Sequence, residues 1–153
     1  MTRILPMYEE KQKLYPLLIL PLIIGLLFYL RVFTKEMQEE FWIANIFVPG
    51  LIVIFLFIFL NFFTLSIIIT KDYFKFGFGL FSVTTPIKNI ESCKVTDIKF
   101  RTYLGAGIRF GFDGTIAYNT GFGKGIKVKL KNRKHEYVIS TKHAQKLASI
   151  LNR

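Results

Sequence analysis

The sequence holds few side chains of the kinds that carry out covalent or metal-assisted chemistry. Its one cysteine, Cys93, lies in the middle of a β-prone run, and its two histidines, His135 and His143, are eight residues apart. Catalysis needs a nucleophile beside a base, or ligands gathered around a metal ion. The acidic residues Glu91 and Asp97 show no paired spacing either. We therefore expect a protein that is not an enzyme and that uses no metal or other cofactor.

Two glycine-rich stretches are candidates for phosphate binding. Gly105-Ala-Gly107 lacks the third glycine of the dinucleotide-binding fingerprint, and Gly121–Gly125 lacks the Lys-Ser/Thr pair of the P-loop. Neither stretch lies between a clear strand and a helix. Glycine at bulges and tight turns explains both stretches.

Basic residues give the strongest indication of function. The chain carries 21 Lys and Arg against ten Asp and Glu, and its net charge of +11 lies entirely in residues 71–153. Three lysines alternate with apolar residues along one predicted strand and therefore share a face. The candidate residues for binding a lipid or a protein partner are Lys99, Arg101, Lys127, Lys129, Lys131, Arg133 and Lys134.

Two other interpretations of this basic surface remain open. A charged face can simply keep a domain soluble. RNA binding would need exposed aromatic side chains for base stacking, and Tyr73, Tyr103 and Tyr118 are the candidates. Nucleic acid is the less favoured partner, because the phenylalanines alternate as core residues.

Long uncharged runs dominate the first half of the chain. A bilayer core needs about 20 apolar residues per helix, so we expect spans at about 14–33 and 42–63, preceded by a cytoplasmic segment, 1–13. The connector between them is acidic and the C-terminal half is basic, which places both termini in the cytoplasm. The expected location is the cell membrane, crossed more than once.

From residue 64 onward the pattern changes to short β-prone runs. Tyr73–Phe78 alternates with the period of a half-buried strand, and Asp113-Gly114 is a strong hairpin signal between two such runs. After Ser140 and Thr141, apolar residues recur at helical spacing over 142–152. Seven short antiparallel strands and a C-terminal helix predict an α+β protein whose residues 64–153 form a partly open barrel capped by that helix.

Several motifs of this half resemble those of the prokaryotic pleckstrin-homology-like (PH-like) membrane proteins. They are Tyr103–Arg109 (YLGAGIR), Ala117-Tyr118-Asn119, Gly125–Leu130 (GIKVKL) and Ile139-Ser-Thr141. The resemblance implies a PH-like seven-stranded antiparallel β-barrel after two transmembrane helices. It implies no inositol-phosphate recognition, because the connection between the first two strands is only Lys71-Asp72.

These observations lead to two functional hypotheses. The first is a non-enzymatic integral membrane protein whose basic PH-like domain binds the anionic headgroups of the inner leaflet or an acidic protein partner. The second is a structural or accessory subunit of a larger membrane complex, in which Asn45 and Asn61 face protein rather than lipid. Its partners would then be other proteins or further copies of this chain.

Overall fold

The chain folds into two compact units. The computed structural model describes residues 6–33, 46–131 and 133–152. Tyr15–Phe63 forms a helical unit, and the segment up to Leu14 joins Thr64–Arg153 in a β-rich unit.

In the described part of the helical unit, two helices pack against each other, α1 (Ile19–Phe33) and α2 (Val48–Phe62). Each has 15 residues, which corresponds to about 22 Å at 1.5 Å per residue. The hydrocarbon core of a bilayer is about 30 Å thick. Among the residues that the structure describes, no helix combines the length and apolar character needed to cross a membrane. The prediction of two transmembrane helices, and with it of a multi-pass cell-membrane protein, is therefore wrong.

Prolines lie close to the start of both helices. Pro16 lies in a 3-10 turn that precedes α1, and Pro49 lies in the first turn of α2. Proline has no N–H to donate and is tolerated only where a helix begins. The second run also continues beyond its helix, because its last residues form a β-strand from Thr64. Residues 42–45 of the predicted second span lie outside the described residues.

Four antiparallel strands form the first sheet of the β-rich unit, sheet A. They are β1 (Tyr8–Lys13), β2 (Thr64–Ile69), β3 (Tyr73–Phe78) and β4 (Phe81–Pro86), in that order across the sheet. The apolar alternation of β2 and β3 puts Ile67 opposite Phe76 and Ile69 opposite Phe74 on one face. All of these side chains are fully buried.

Five strands form sheet B, in the order β5-β8-β9-β7-β6. They are β5 (Ile90–Ile98), β6 (Gly107–Phe110), β7 (Ile116–Asn119), β8 (Gly123–Leu130) and β9 (Tyr137–Ser140). The pair β7–β9 is parallel and the others are antiparallel. A short helix, α3 (Phe100–Tyr103), follows β5, and α4 (Ala144–Leu151) follows β9.

The predicted seven-stranded antiparallel barrel is therefore wrong. The described residues contain two separate sheets, with nine strands and one parallel pair. Strand β1 was not predicted because its sequence, YEEKQK, has no apolar alternation. The parallel pair was not predicted because alternation shows which face of a strand is buried but does not show which strands lie next to it.

Aromatic rings fill the space between the two sheets. Phe76 of sheet A makes edge contacts with Tyr118 and Tyr137 of sheet B, at centroid distances of 5.2 and 5.4 Å. Helix α4 covers β5 and β8. After it, the side-chain amide of Asn152 donates to the Cys93 carbonyl (2.8 Å) and accepts from the Cys93 N–H (3.1 Å).

Hydrogen bonds attach β1 to the junction between β9 and α4. The Glu10 carboxylate accepts from the Thr141 hydroxyl (2.6 Å), the Lys142 N–H (2.9 Å) and the Tyr8 hydroxyl (2.5 Å). Gln12 donates to Glu10 (2.9 Å) and to the Ser140 carbonyl (2.8 Å). Burial alone would raise the pKa of Glu10, but the bonds that it accepts outweigh burial and lower that pKa.

We predict that Glu10→Gln lowers the free energy of unfolding by about 1–3 kcal/mol at neutral pH, because it weakens several charge-assisted hydrogen bonds. A carboxylate whose pKa is lowered by folding stabilises the protein above its unfolded pKa, and the effect disappears as the pH falls through the folded pKa. Urea unfolding followed by circular dichroism should therefore show wild type and variant converging in acid.

The matched control for this prediction is Glu9→Gln. Glu9 is exposed and, among the described residues, its one ion pair is with Lys11, at 2.9 Å, so its replacement should change stability by less than about 0.5 kcal/mol. An unchanged stability of Glu10→Gln at neutral pH would show that the network does not hold β1 in place.

Candidate functional site

The reactive residue types lie apart from one another. Cys93 is buried, and burial raises the pKa of its thiol to about 11, so the thiol stays protonated at neutral pH. His135 is exposed and its Nδ1 lies 3.1 Å from the Gly114 carbonyl oxygen. In the described part of the chain, no three His, Cys, Asp or Glu side chains are grouped so that they could hold a metal ion.

Both glycine-rich stretches lead into strands. Gly107 opens β6 with φ +103°, and Gly123 opens β8 with φ +117°. A Cβ added at Gly125 would lie 2.7 Å from the Ile139 carbonyl oxygen, so glycine is needed there for close strand pairing. The phosphate-binding motifs considered above require a helix after the loop, and strands occupy that place here.

The seven predicted basic residues separate into three groups along β5 and β8. Ile98 pairs with Gly123 at one end of this ladder, and Ile90 pairs with Leu130 at the other. At about 3.4 Å per residue, the two ends are about 27 Å apart. Lys99 and Arg101 follow the first end, whereas Lys131, Arg133 and Lys134 follow the second. The ladder does not separate Arg101 from the second end, because the carbonyl of its neighbour Thr102 accepts from the Phe112 N–H of the β6–β7 turn (3.2 Å).

The third group, Lys127 and Lys129, lies on β8 between these ends. Lys127 forms an ion pair with Glu136 (2.7 Å), and Lys129 forms one with Glu91 (2.8 Å). The hydrogen bond to Glu136 raises the pKa of Lys127, and the bond to Glu91 raises that of Lys129. These two lysines share the predicted face, but each already has an acidic partner.

The exposed cations of the β8–β9 turn, Lys131, Arg133 and Lys134, make no ion pair within the described residues. We call these three residues the turn cluster. The neighbouring β6–β7 turn is held beside it, because His135 contacts Gly114 and the Ile116 N–H donates to the Glu136 carbonyl (2.9 Å). Two turns thus meet at one end of sheet B.

Exposed aromatic side chains accompany the turn cluster. Phe110 and Phe112 of the β6–β7 hairpin are 77% and 80% exposed. A hydrogen bond from the Phe112 N–H to the Thr102 carbonyl (3.2 Å) fixes the hairpin to α3. Sequence reasoning assigned the phenylalanines to the core, because their alternation was the visible pattern. The signal that could have separated these two is the adjacent Gly111 and Asp113-Gly114, which place them beside a turn.

The tyrosines proposed for base stacking do not lie on this surface. Tyr103 and Tyr118 are buried, and Tyr73 is half-buried. Tyr103, the last residue of α3, packs against Ala117 and Val138, and its hydroxyl lies 2.8 Å from Thr115 Oγ1. These rings serve packing and are not available as a stacking platform.

Sequence reasoning also missed a basic groove beside the start of α4. A cavity of about 340 Å³ contains Lys124, Lys142, His143 and Lys146 in its lining. Lys124 already pairs with Asp97 at 3.0 Å. Just before the N-cap residue His143, the Lys142 N–H donates to Glu10.

No family model matches this chain, and neither the curated proteins nor the solved structures compared with it include a match. The resemblance to the PH-like proteins therefore stays a prediction. The case for a function rests on the surface described above.

Leu104 adopts an unusual backbone conformation next to the exposed hairpin. It ends α3 in the left-handed region, with φ 51° and ψ 29°, and its N–H donates to the Phe100 carbonyl at 2.7 Å. Glycine is the usual residue at such a position. The Leu104 side chain is 60% exposed, so packing offsets little of the backbone strain.

We predict that Leu104→Gly raises the free energy of unfolding by about 1 kcal/mol, because it relieves the left-handed strain. Chemical denaturation measures this change. Leu80→Gly is the matched control, since Leu80 is an exposed leucine in a turn with an ordinary backbone, and it should destabilise slightly through chain entropy. Equal effects of the two substitutions would contradict the strain at Leu104.

Proposed function

We propose that this protein is a non-enzymatic binding module whose turn cluster docks onto an acidic surface of a partner protein. The observation that carries the proposal is the exposure of three cations without carboxylate partners beside two exposed phenylalanines. Protein interfaces favour aromatic residues and arginine at their centres. Complementary charge adds orientation and a faster encounter.

The charge balance of the β-rich unit supports this proposal. The unit carries 19 basic and seven acidic residues, a net charge of +12. Six of the seven acidic side chains are already bonded within the unit. They are Glu9, Glu10, Glu91, Asp97, Asp113 and Glu136. The excess positive charge thus remains to attract an anionic partner.

We predict that replacing the three cations of the turn cluster with glutamine weakens binding of poly-glutamate about tenfold at low salt. Each exposed charge contributes about 0.5 kcal/mol, and a factor of ten corresponds to about 1.4 kcal/mol. The measurement is a titration of the full chain against fluorescent poly-glutamate, repeated at rising salt to confirm the electrostatic origin.

The matched control removes three other cations, Lys94 on β5, Lys142 just before α4 and Lys146 in the first turn of α4. It should bind poly-glutamate nearly as well as wild type. Equal losses in both triple variants would show that only net charge matters and would contradict the proposed site. Vesicles of phosphatidylserine and phosphatidylcholine are titrated in parallel, and binding to vesicles without binding to poly-glutamate would overturn the choice of partner.

A second candidate function rests on the helical unit. Leu22 of α1 and Leu60 of α2 are 72% and 69% exposed, and apolar surface of this kind marks an interaction site. The protein is then a structural subunit whose helices pack against another protein. Asn61 gives no support, because its side-chain amide donates to the Phe57 carbonyl of its own helix at 3.0 Å.

For this second function, we predict that the purified full chain associates with other polypeptides in mild detergent, because its exposed leucines must be covered. Light scattering measures the mass of the protein after subtraction of the detergent. Leu22→Ser with Leu60→Ser should reduce that mass toward one chain, whereas a wild-type mass of one chain would contradict the subunit function.

A further inference from the structure

Strand β6 lies at an edge of sheet B. It pairs with β7 on one side, and within the described residues no strand pairs with its other side. Just beyond the end of β6, α3 already covers this side, because the Phe112 N–H donates to the Thr102 carbonyl (3.2 Å). An edge strand presents unpaired backbone donors and acceptors, and proteins usually block such an edge with a proline, a charge or a covering segment. The sequence of β6, Gly-Ile-Arg-Phe, contains no proline and one charge.

The register identifies the backbone groups that point outward from this edge. The Gly111 N–H donates to the Thr115 carbonyl at 2.8 Å, so these two residues form a hydrogen-bonded pair. In an antiparallel ladder such pairs recur at every second residue. The next pair is Arg109 with Ala117, which leaves the N–H and C=O groups of Ile108 and Phe110 directed to the open side.

The two faces of this edge differ in chemistry. Arg109 shares its face with Ala117 and Val138, whereas Ile108 and Phe110 point to the opposite face. A strand added to the edge would continue the row of side chains on each of the two faces. Its residues beside Arg109 would be acidic, and its residues beside Ile108 and Phe110 would be apolar.

The surrounding charge favours a partner protein over a second copy of this chain. The turn cluster lies at the end of the sheet where β6 ends, because the two turns are joined through His135 and Gly114. Antiparallel pairing of two β6 edges would place two β-rich units side by side, and each of them carries a net charge of +12. An acidic segment meets complementary charge instead.

We propose that the open edge of β6 binds an extended segment of a partner protein, with alternating acidic and apolar residues, as an added antiparallel strand. The outward backbone groups of Ile108 and Phe110 bond to the added strand, as in other cases of strand addition. This inference rests on the proposed function, because it specifies the form in which the acidic partner docks.

The test uses the full chain and two labelled peptides with the same charge. The first is an eight-residue peptide of alternating Glu and Val, and the second carries N-methylvaline at each Val. In the proposed register each Val lies opposite Ile108 or Phe110 and donates its N–H to β6. N-methylation removes those donors and retains the side chains and the charge.

The expected result is that the first peptide binds at least tenfold more tightly than the second. Equal binding of both peptides would overturn strand addition and leave the acidic-partner function intact. If neither peptide binds the full chain and poly-glutamate does not bind it either, the proposed function is overturned as well. Tighter binding of single-stranded oligouridylate than of the first peptide would overturn both, because it would identify RNA as the ligand.

Two further measurements separate strand addition from side-chain contact. Amide hydrogen exchange at Ile108 and Phe110 should slow at least tenfold when the first peptide is added, and unchanged exchange there would overturn the proposal. Phe110→Ser should weaken binding of the first peptide at least fivefold. The control is Phe122→Ser, an exposed phenylalanine that contacts Phe100, and an equal loss there would overturn the assignment to β6.

Discussion

The β-rich unit depends on the contact of Phe76 with Tyr118 and Tyr137. This one ring belongs to sheet A, and both tyrosines belong to sheet B, so the contact fixes one sheet against the other. Aromatic pairs of this geometry contribute about 0.5–1.5 kcal/mol beyond the area that they bury. Tyr118 and Tyr137 lie on the parallel strands β7 and β9, from which the two exposed turns extend. Packing in the core therefore determines where the basic and aromatic surface lies.

The same surface shows why charge alone is an incomplete guide to a binding site. Lysines that alternate along β8 are prominent in the sequence, yet Lys127 pairs with Glu136, which immediately precedes β9, and Lys129 pairs with Glu91 on β5. The turn cluster lies beyond the end of the ladder, and within the described residues it makes no ion pair. The backbone edge of β6 adds a geometric requirement to this charge, because its hydrogen bonds can be made only by an extended partner.

Local sequence patterns predicted individual strands, turns and helices. Features that depend on how these elements pair in the fold could not be predicted. The alternation in Tyr73–Phe78, the hairpin signal at Asp113-Gly114 and the apolar spacing of the last helix all correspond to elements of the structure. Strand β1 could not be predicted, because a network around Glu10 replaces the usual apolar face. The apolar runs predicted helices but overestimated their length, since composition does not show where proline begins a helix. The ion pairs of β8 depend on register, which alternation leaves open.

The pairing of β1 with β2 has a consequence for the order in which the sheet is lost. Lys13 lies directly opposite Thr64. In the sequence, the whole helical unit therefore separates two strands that are neighbours in sheet A. Closing a loop of about 50 residues costs more chain entropy than closing the short turns between the other strands of sheet A. Strand β1 is therefore the strand of this sheet that separates first on partial unfolding. Its departure would uncover the edge of β2 while β2, β3 and β4 stay paired.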